Sequence, residues 1–434
     1  MADISHRRVL KVALPIVLSN ATVPIRGAVD TGVVGQMGLA APIGAVGLGA
    51  VVLSTIFWMF GFLRMGTSGM VAQARGAGDL PETGAILMRA LLIGFGAGLV
   101  FVLAQAPLFW LAFKIAPASA DVEALARDYL SVRIWGAPAT ISIYAITGWL
   151  IALERTRGVL VMQLWMNALN MGLDLWFVLG LGWGVKGVAS ATLIADWSGL
   201  LLGLWLCRAA FAGDQWRDWL RVFDRARLRL MLAVNGDIML RSVLLQASFT
   251  SFVFLGAGFG DVTLAANQVL MQFLEIAAFA LDGFAFAAES LVGQAVGARS
   301  IPRLRRAALL SSQWAALAAV LMAAGFWLAG PAIIDLMAKA PKVQLEARVY
   351  LPWVVVAVLI SLASYMLDGI FIGATRTAAM RNAMAISVAI YALALAALVP
   401  AFGNHGLWAG LLVLNVARGV TLWRRYPALE RALV

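Results

Sequence analysis

A single cysteine, Cys207, stands among 434 residues. One thiol closes no intramolecular disulfide and builds no thiolate metal cluster. Histidine is almost as scarce: His6 and His405 lie near opposite ends of the chain and make no metal site. No Walker A phosphate loop occurs, so ATP is not bound by that route. Regular arginine spacing of the voltage-sensor type and a carbonyl filter motif are both missing, which weighs against a voltage-gated or potassium-type channel. Gly182-Trp183-Gly184-Val185-Lys186-Gly187 satisfies G-x-G-x-x-G literally. A dinucleotide site needs that motif between a strand and a helix, and here it joins two long apolar runs. Charge is thin as well. Asp, Glu, Lys and Arg make up 13% of the chain, against about 25% in a soluble domain.

What replaces charge is hydrophobic surface, 62% of residues. A single soluble core stops growing near ~250–300 residues, so this excess fits a bundle whose outside is also apolar. A helix needs about 20 apolar residues to cross a bilayer. The apolar runs are 9–36, 44–74, 85–112, 128–153, 159–182, 187–211, 228–258, 264–296, 305–330, 346–374, 380–402 and 405–423. Outer-membrane strands are ~10 residues of alternating polarity, and these runs are long and continuous. The predicted fold is therefore all-α and polytopic, with twelve transmembrane helices. The first run follows His6-Arg7-Arg8 but carries Pro15 and Pro24 and no clear small-residue cleavage site, so it reads as a span rather than a signal peptide.

Positive charge orients the spans. With the N-terminus cytoplasmic, the cytoplasmic segments hold 22 of the 33 Lys and Arg residues, and the other side holds six: Lys114, Arg127, Lys186, Lys339, Lys342 and Arg348. Both termini are thus expected in the cytoplasm of a bacterial inner membrane. The net charge of +11 is spread in short clusters between apolar runs, with no extended basic face for nucleic acid.

The chain repeats itself. Gln73 to Pro81 matches Gln294 to Pro302, and Gly148 to Thr156 matches Gly369 to Thr377, both at an offset of 221. Val185 to Ala189 answers His405 to Ala409 at 219. The expected organisation is a six-helix lobe at 1–211, a cytoplasmic linker at 212–229 and a second six-helix lobe at 230–434. The linker, with Trp216 and Trp219, reads as an interfacial amphipathic helix. An even number of spans per copy makes the repeats parallel, and such halves usually enclose a central path.

Charges inside the spans cost about 2.5–3.5 kcal/mol each on insertion scales, so each must face protein or water. The candidates are Arg26, Asp30, Arg64, Asp174, Asp196, Asp237, Arg241, Glu275, Asp282, Glu289, Asp368 and Arg418. Asp237 and Arg241 are spaced i,i+4 near the end of their span and read as a structural or gating pair. Arg26 and Asp30 share that spacing but lie deeper; Arg26 either holds Asp30 ionised or serves another acid. Arg418 could snorkel. The fifth span is the most informative. Asn167, Asn170 and Asp174 fall at i, i+3 and i+7, on one helix face. Burial favours the neutral acid and cavity water the carboxylate, so a conformational change can load and release a proton at Asp174. The same oxygens could hold Na⁺, and an interhelical polar clamp is the structural alternative.

These residues carry a resemblance. Asn235-Gly236-Asp237-Ile238-Met239-Leu240-Arg241, Leu367-Asp368-Gly369-Ile370-Phe371-Ile372-Gly373-Ala374-Thr375-Arg376-Thr377, Met380-Arg381-Asn382 and the pattern from Pro15 to Asp30 with Gly35 are typical of one family. The chain resembles multidrug and toxic compound extrusion (MATE) transporters of the DinF-like branch, essentially end to end. The resemblance implies twelve helices in two lobes forming a V, and exchange of a cation gradient for an organic substrate. It implies an ion-coupling site of Asp30, Asn170 and Asp174, with Thr192 as neighbour. Where that branch has a further amide in span 4, this chain has Tyr144 and Thr147. Asp368 is the candidate acid of the second lobe.

The leading expectation is a secondary antiporter, driven by H⁺ more than Na⁺, that exports organic cationic or amphipathic compounds as a monomer in the bilayer without any cofactor. Arg26, Tyr144, Met59, Asp368, Glu275 and Asp282 are candidates for a substrate cavity or secondary site. Walls rich in methionine and aromatics, such as Phe57, Trp58, Met59, Met65 and Met70, accept many shapes. A flippase of a lipid-linked precursor is the alternative, but it should show extra spans or a cationic cavity. A channel or an inert membrane scaffold is disfavoured by the repeat and the buried acids.

Overall fold

The computed structural model describes residues 3–36, 40–212 and 215–433. Among them the helices are α1 (His6–Ala21), α2 (Val23–Gly35), α3 (Ala40–Met59), α4 (Gly61–Ala77), α5 (Leu80–Leu103), α6 (Gln105–Ile115), α7 (Ala120–Arg133), α8 (Ala137–Ala152) and α9 (Thr156–Asp174). They continue as α10 (Gly184–Leu206), α11 (Trp219–Val222), α12 (Arg225–Ala257), α13 (Asp261–Gly297), α14 (Ile301–Met337), α15 (Pro341–Gly373), α16 (Thr377–Phe402), α17 (Asn404–Trp423) and α18 (Tyr426–Arg431). No strand occurs among the described residues.

Eleven helical stretches among the described residues are long and apolar enough to cross a bilayer. The twelfth predicted span is α9 continued by a π-helical turn, Leu175–Gly180. It has the length, but Gln163, Asn167, Asn170 and Asp174 lower its hydropathy. The chain is thus an all-α polytopic membrane protein. Helices α13 and α14, at 37 residues each, are about 55 Å long and project beyond a hydrocarbon core of roughly 30 Å. The run predicted at 85–112 is broken at Ala104 between α5 and α6. Pro107 has no N–H to give the Leu103 carbonyl, so a straight helix cannot continue there.

The chain divides into two compact units. The N-terminal unit is Leu18–Val71 with Asp79–Met231. Its core surrounds α7 and α8, with Leu130, Ile134, Ala137 and Ile141 buried. Trp149 is also buried and donates to the Thr83 carbonyl at 3.1 Å. The C-terminal unit is Met1–Val17, Ala72–Gly78 and Leu232–Val434. Here α13 packs on α14 and α15, and α16 on α17. Asn267 and Asn404 exchange amide hydrogen bonds at 2.7 and 3.0 Å, and Trp408 donates to Asn267 at 2.9 Å.

The sequence repeat is reproduced in the backbone. Three pairs of left-handed residues stand 221 apart: Gly78 (φ 80°) and Arg299 (φ 50°), Glu154 (φ 59°) and Thr375 (φ 49°), Gly182 (φ 67°) and Gly403 (φ 56°). Around Glu154 and Thr375 the closures coincide: Arg155 N–H bonds Leu150 O at 2.8 Å and Arg376 N–H bonds Phe371 O at 3.0 Å. These are the 6→1 bonds of a Schellman helix end, with non-glycine residues in the αL position. Crossings repeat too. A Cβ on Gly148 would run into the Arg64 carbonyl oxygen, and one on Gly369 into the Ala285 carbonyl oxygen, which are also 221 apart. Gly76 abuts the Gln294 backbone while Gly297 abuts that of Gln73. Such reciprocal contact marks a local two-fold between these two segments.

The linker is not the single amphipathic helix expected. Asp218 caps the four-residue α11, and Asp224 accepts from the Arg227 N–H at 2.8 Å to start α12, so two caps cut the segment into short turns. Buried Arg89 holds it, donating to the carbonyls of Arg221 (2.6 Å) and Val222 (2.8 Å) and to Glu82 (2.7 Å). Glu82 also pairs with Arg227, and Asp79 with Arg221.

Candidate functional site

The site begins at a break in the first span. Pro24 lies in the first turn of α2, and its missing N–H ends α1 before it. At the break the Thr22 hydroxyl donates to Ser19 O at 2.7 Å and accepts from Asn167 Nδ2 at 2.8 Å. Helix α9 thus grips the hinge through its polar stripe. From this hinge α2 carries Arg26 and Asp30 against α9 and α10.

One turn further along the stripe, Asn170 donates to Thr192 Oγ1 of α10 at 3.1 Å. Asp174, fully buried, ends α9 where the helix widens into the π turn. π-bulges concentrate at functional sites. Asp30 lies against Asp174. Both oxygens of Asp174, Oδ1 of Asp30 and Oδ1 of Asn170 are buried without a hydrogen-bond donor. Four acceptor atoms with nothing to accept is a rare arrangement, since most buried polar atoms are paired. The chemistry that satisfies it is a donor proton or a small cation.

Beside this cluster sits Asp196 of α10, 2% exposed. It meets Arg133 of α7 at 3.0 Å, accepts from Thr140 of α8 at 2.9 Å, and faces Arg26 at 3.7 Å. Arg26 thus serves another acid, not the i+4 Asp30. Tyr129 of α7 stands next to Arg133. Tyr144 of α8 is half-buried within the field of Asp196 and Arg64. Sequence reading gave Arg133 and Tyr129 no role, and it named Asp196 without a partner. Arg133 did lie inside the apolar run at 128–153, a signal sufficient to flag it.

The C-terminal unit holds a different kind of charge. Buried Asp368 receives Arg241 and, at 2.6 Å, Arg418, which also donates to Asn415 at 3.1 Å. Asp237 pairs instead with Arg381 at 2.6 Å and accepts from Thr377 at 3.0 Å. The i,i+4 pairing of Asp237 with Arg241 is therefore corrected: each finds a stronger partner on another helix. Arg418 does not snorkel, being 4% exposed and held inside by Asp368. Asp282 is half-buried and Glu275 exposed on α13. Both belong to the C-terminal unit, whereas Asp30 and Asp174 belong to the N-terminal one. Met59 is 43% exposed at the end of α3.

Eleven spans, a twelfth supplied by α9, and an internal repeat define a multi-pass membrane protein. A family model described as MatE matches residues 15–176 and 238–398, and the chain belongs to that family. Over 430 residues it is 39% identical to DNA damage-inducible protein F of Escherichia coli (strain K12), covering 97% of this chain and 93% of that protein. It is 26% identical over 459 residues to a probable multidrug resistance protein NorM of Pseudomonas aeruginosa, covering 98% and 91%. Solved structures agree in fold. The Vibrio cholerae MATE transporter VcmN in its bent form superposes with TM-score 0.87 at 20% identity, covering 99% of this chain and 97% of that one. A MOP superfamily transporter from Pyrococcus furiosus does so with TM-score 0.85 at 19% identity, covering 99% and 96%.

Proposed function

We propose that the protein is a cation-coupled antiporter, H⁺ before Na⁺, that exports organic cationic or amphipathic compounds across the bacterial inner membrane with both termini in the cytoplasm. Its coupling site is Asp30, Asn170, Asp174 and Thr192. The carrying observation is the group of buried acceptor oxygens without donors on Asp30, Asn170 and Asp174.

Two ionised carboxylates side by side repel, and neither has the donors that make a buried charge tolerable. One proton supplies a donor, removes a charge and lets the oxygens draw together. Asn170, held at 3.1 Å to Thr192, keeps its buried Oδ1 as a further acceptor. When the site opens to a less acidic compartment, water solvates the carboxylates and the proton leaves. Because Asp30 rides on α2 beyond the Thr22 hinge, a change of charge at the pair is felt as a force on that helix. The NorM relative is named a probable multidrug resistance protein, and net negative charge at the site suits cationic cargo.

The test is efflux of a fluorescent organic cation such as ethidium from proteoliposomes under imposed gradients. Export driven by a pH gradient without sodium supports H⁺ coupling. Export that follows Na⁺ and ignores pH keeps the site and changes the ion. Equal transport with no gradient overturns the antiport reading.

A further inference from the structure

Arg26 stands between the two halves of the N-terminal unit's buried charge. On one side it stands 3.7 Å from Asp196, close enough for an ion pair but too long for a hydrogen bond. On the other, it lies one helical turn from Asp30 on the same face of α2, within the field of Asp174. The two claims on it are unequal. Asp196 is already held by Arg133 at 3.0 Å and Thr140 at 2.9 Å, so it can lose Arg26 and stay paired. Asp30 and Asp174 present three acceptor oxygens without a donor. The Arg26 side chain is 19% exposed, on a helix that starts at a proline hinge, so it has room to swing.

We propose that Arg26 is a counter-charge shared between Asp196 and the Asp30/Asp174 pair, resting on Asp196 while the pair holds a proton and moving to the pair when the proton leaves. The inference rests on the coupling role proposed above for Asp30 and Asp174. It adds positioning residues, Arg26 with Asp196 and Arg133, that store the arginine in the protonated state.

The charges facing α2 fit this exchange. Its own helix supplies Asp30, α9 supplies Asp174, α10 supplies Asp196, and α7 supplies Arg133 and Tyr129. Helix α3 brings no titratable side chain. Tyr144 and Arg64 stand beyond Asp196. Three carboxyl groups face two guanidinium groups, so one proton on the pair makes the group neutral. When that proton leaves, the surplus negative charge sits at Asp30 and Asp174, and Arg26 is the cation free to follow it. The motion turns proton release into a pull on α2.

The experiment is an infrared titration of the full-length protein in lipid, following the C=O band of buried carboxylic acid against pH, which needs no substrate. Asp174→Asn should remove the band; if the band persists unchanged, the underlying coupling assignment fails. Given that loss, Arg26→Gln should move the band's midpoint alkaline by on the order of one pH unit, because a nearby cation no longer stabilises the carboxylate. Asp196→Asn should move it acid, because the arginine then has only the pair to serve. Arg26→Lys should restore the wild-type midpoint. A purely structural Arg26 leaves the midpoint fixed while weakening the protein, and that result, or equal-signed shifts in Arg26→Gln and Asp196→Asn, overturns the inference. If Arg26→Gln does not fold, Asp196→Asn alone decides: an acid shift supports the exchange, and an alkaline shift or none refutes it.

Discussion

Asp368→Asn tests the difference between a charge that is paired and one that is poised. Asp368 takes two guanidinium groups, Arg241 and Arg418, and all three residues are buried. The asparagine keeps the shape and removes the negative charge, leaving two cations facing each other in a medium of low dielectric. Breaking a buried ion pair by removing one partner costs about 3–5 kcal/mol. For a unit of this size each kcal/mol lowers the melting temperature by roughly 2–4 °C, so the expected fall is roughly 6–20 °C. The control is Asp335→Asn. That aspartate pairs with Arg348 at 2.6 Å but both side chains are about 40% exposed, and an exposed pair contributes at most about 1 kcal/mol. Removing Arg241 in the Asp368→Asn background should recover part of the loss, as coupled neighbours do. The measurement is thermal unfolding of purified protein in detergent, followed by tryptophan fluorescence. If Asp368→Asn melts within about 2 °C of wild type, the assignment of Asp368 to a structural ion-pair cluster is wrong and the acid is free for another role.

Three further outcomes are expected. Gly369→Val should displace α15 from the Ala285 carbonyl and cost about 1–3 kcal/mol, read as lower yield and melting temperature; unchanged stability would contradict the close crossing. Arg89→Ala strips the linker carbonyls of Arg221 and Val222 of their donor, at a cost of about 1–3 kcal/mol, and should speed tryptic cleavage between 217 and 229, whereas an unaltered digestion rate would refute the clamp. Reporter fusions after Arg431 and within 218–224 should read as cytoplasmic, from the bias of basic residues; an external signal at either would reverse the orientation.

How far the residues spoke for themselves differs from one element to the next. The apolar runs announced the spans because lipid demands about 20 apolar residues each, and the repeat extends to a backbone detail that the residue match alone did not predict, the αL residues Glu154 and Thr375. The polar stripe of Asn167, Asn170 and Asp174 was legible because helical periodicity alone puts those three together. Its contact with Thr22 and Thr192 was not, since those lie on other helices. Ion pairing was misread for Asp237 and Arg241, where neighbours in sequence were preferred over neighbours in space, while for Arg26 the second of two open readings, another acid, holds. Arg26 to Asp196, Arg241 to Asp368 and Asp237 to Arg381 each join different helices, and an i,i+4 pair is worth only ~0.2–0.5 kcal/mol, too little to outbid a better-placed partner inside a bundle. The linker failed as one helix because Asp218 and Asp224 are caps as readily as they are surface charges.

The most direct measurement of ion coupling at the buried acceptor cluster is efflux of ethidium from proteoliposomes by Asp174→Asn under an inward-directed proton gradient, acidic outside. The substitution keeps the side-chain shape and cannot exchange a proton. The expected result is full loss of gradient-driven efflux, with normal reconstitution, an unchanged melting temperature and retained binding of the dye. Efflux at the wild-type rate would contradict proton coupling at Asp174 outright.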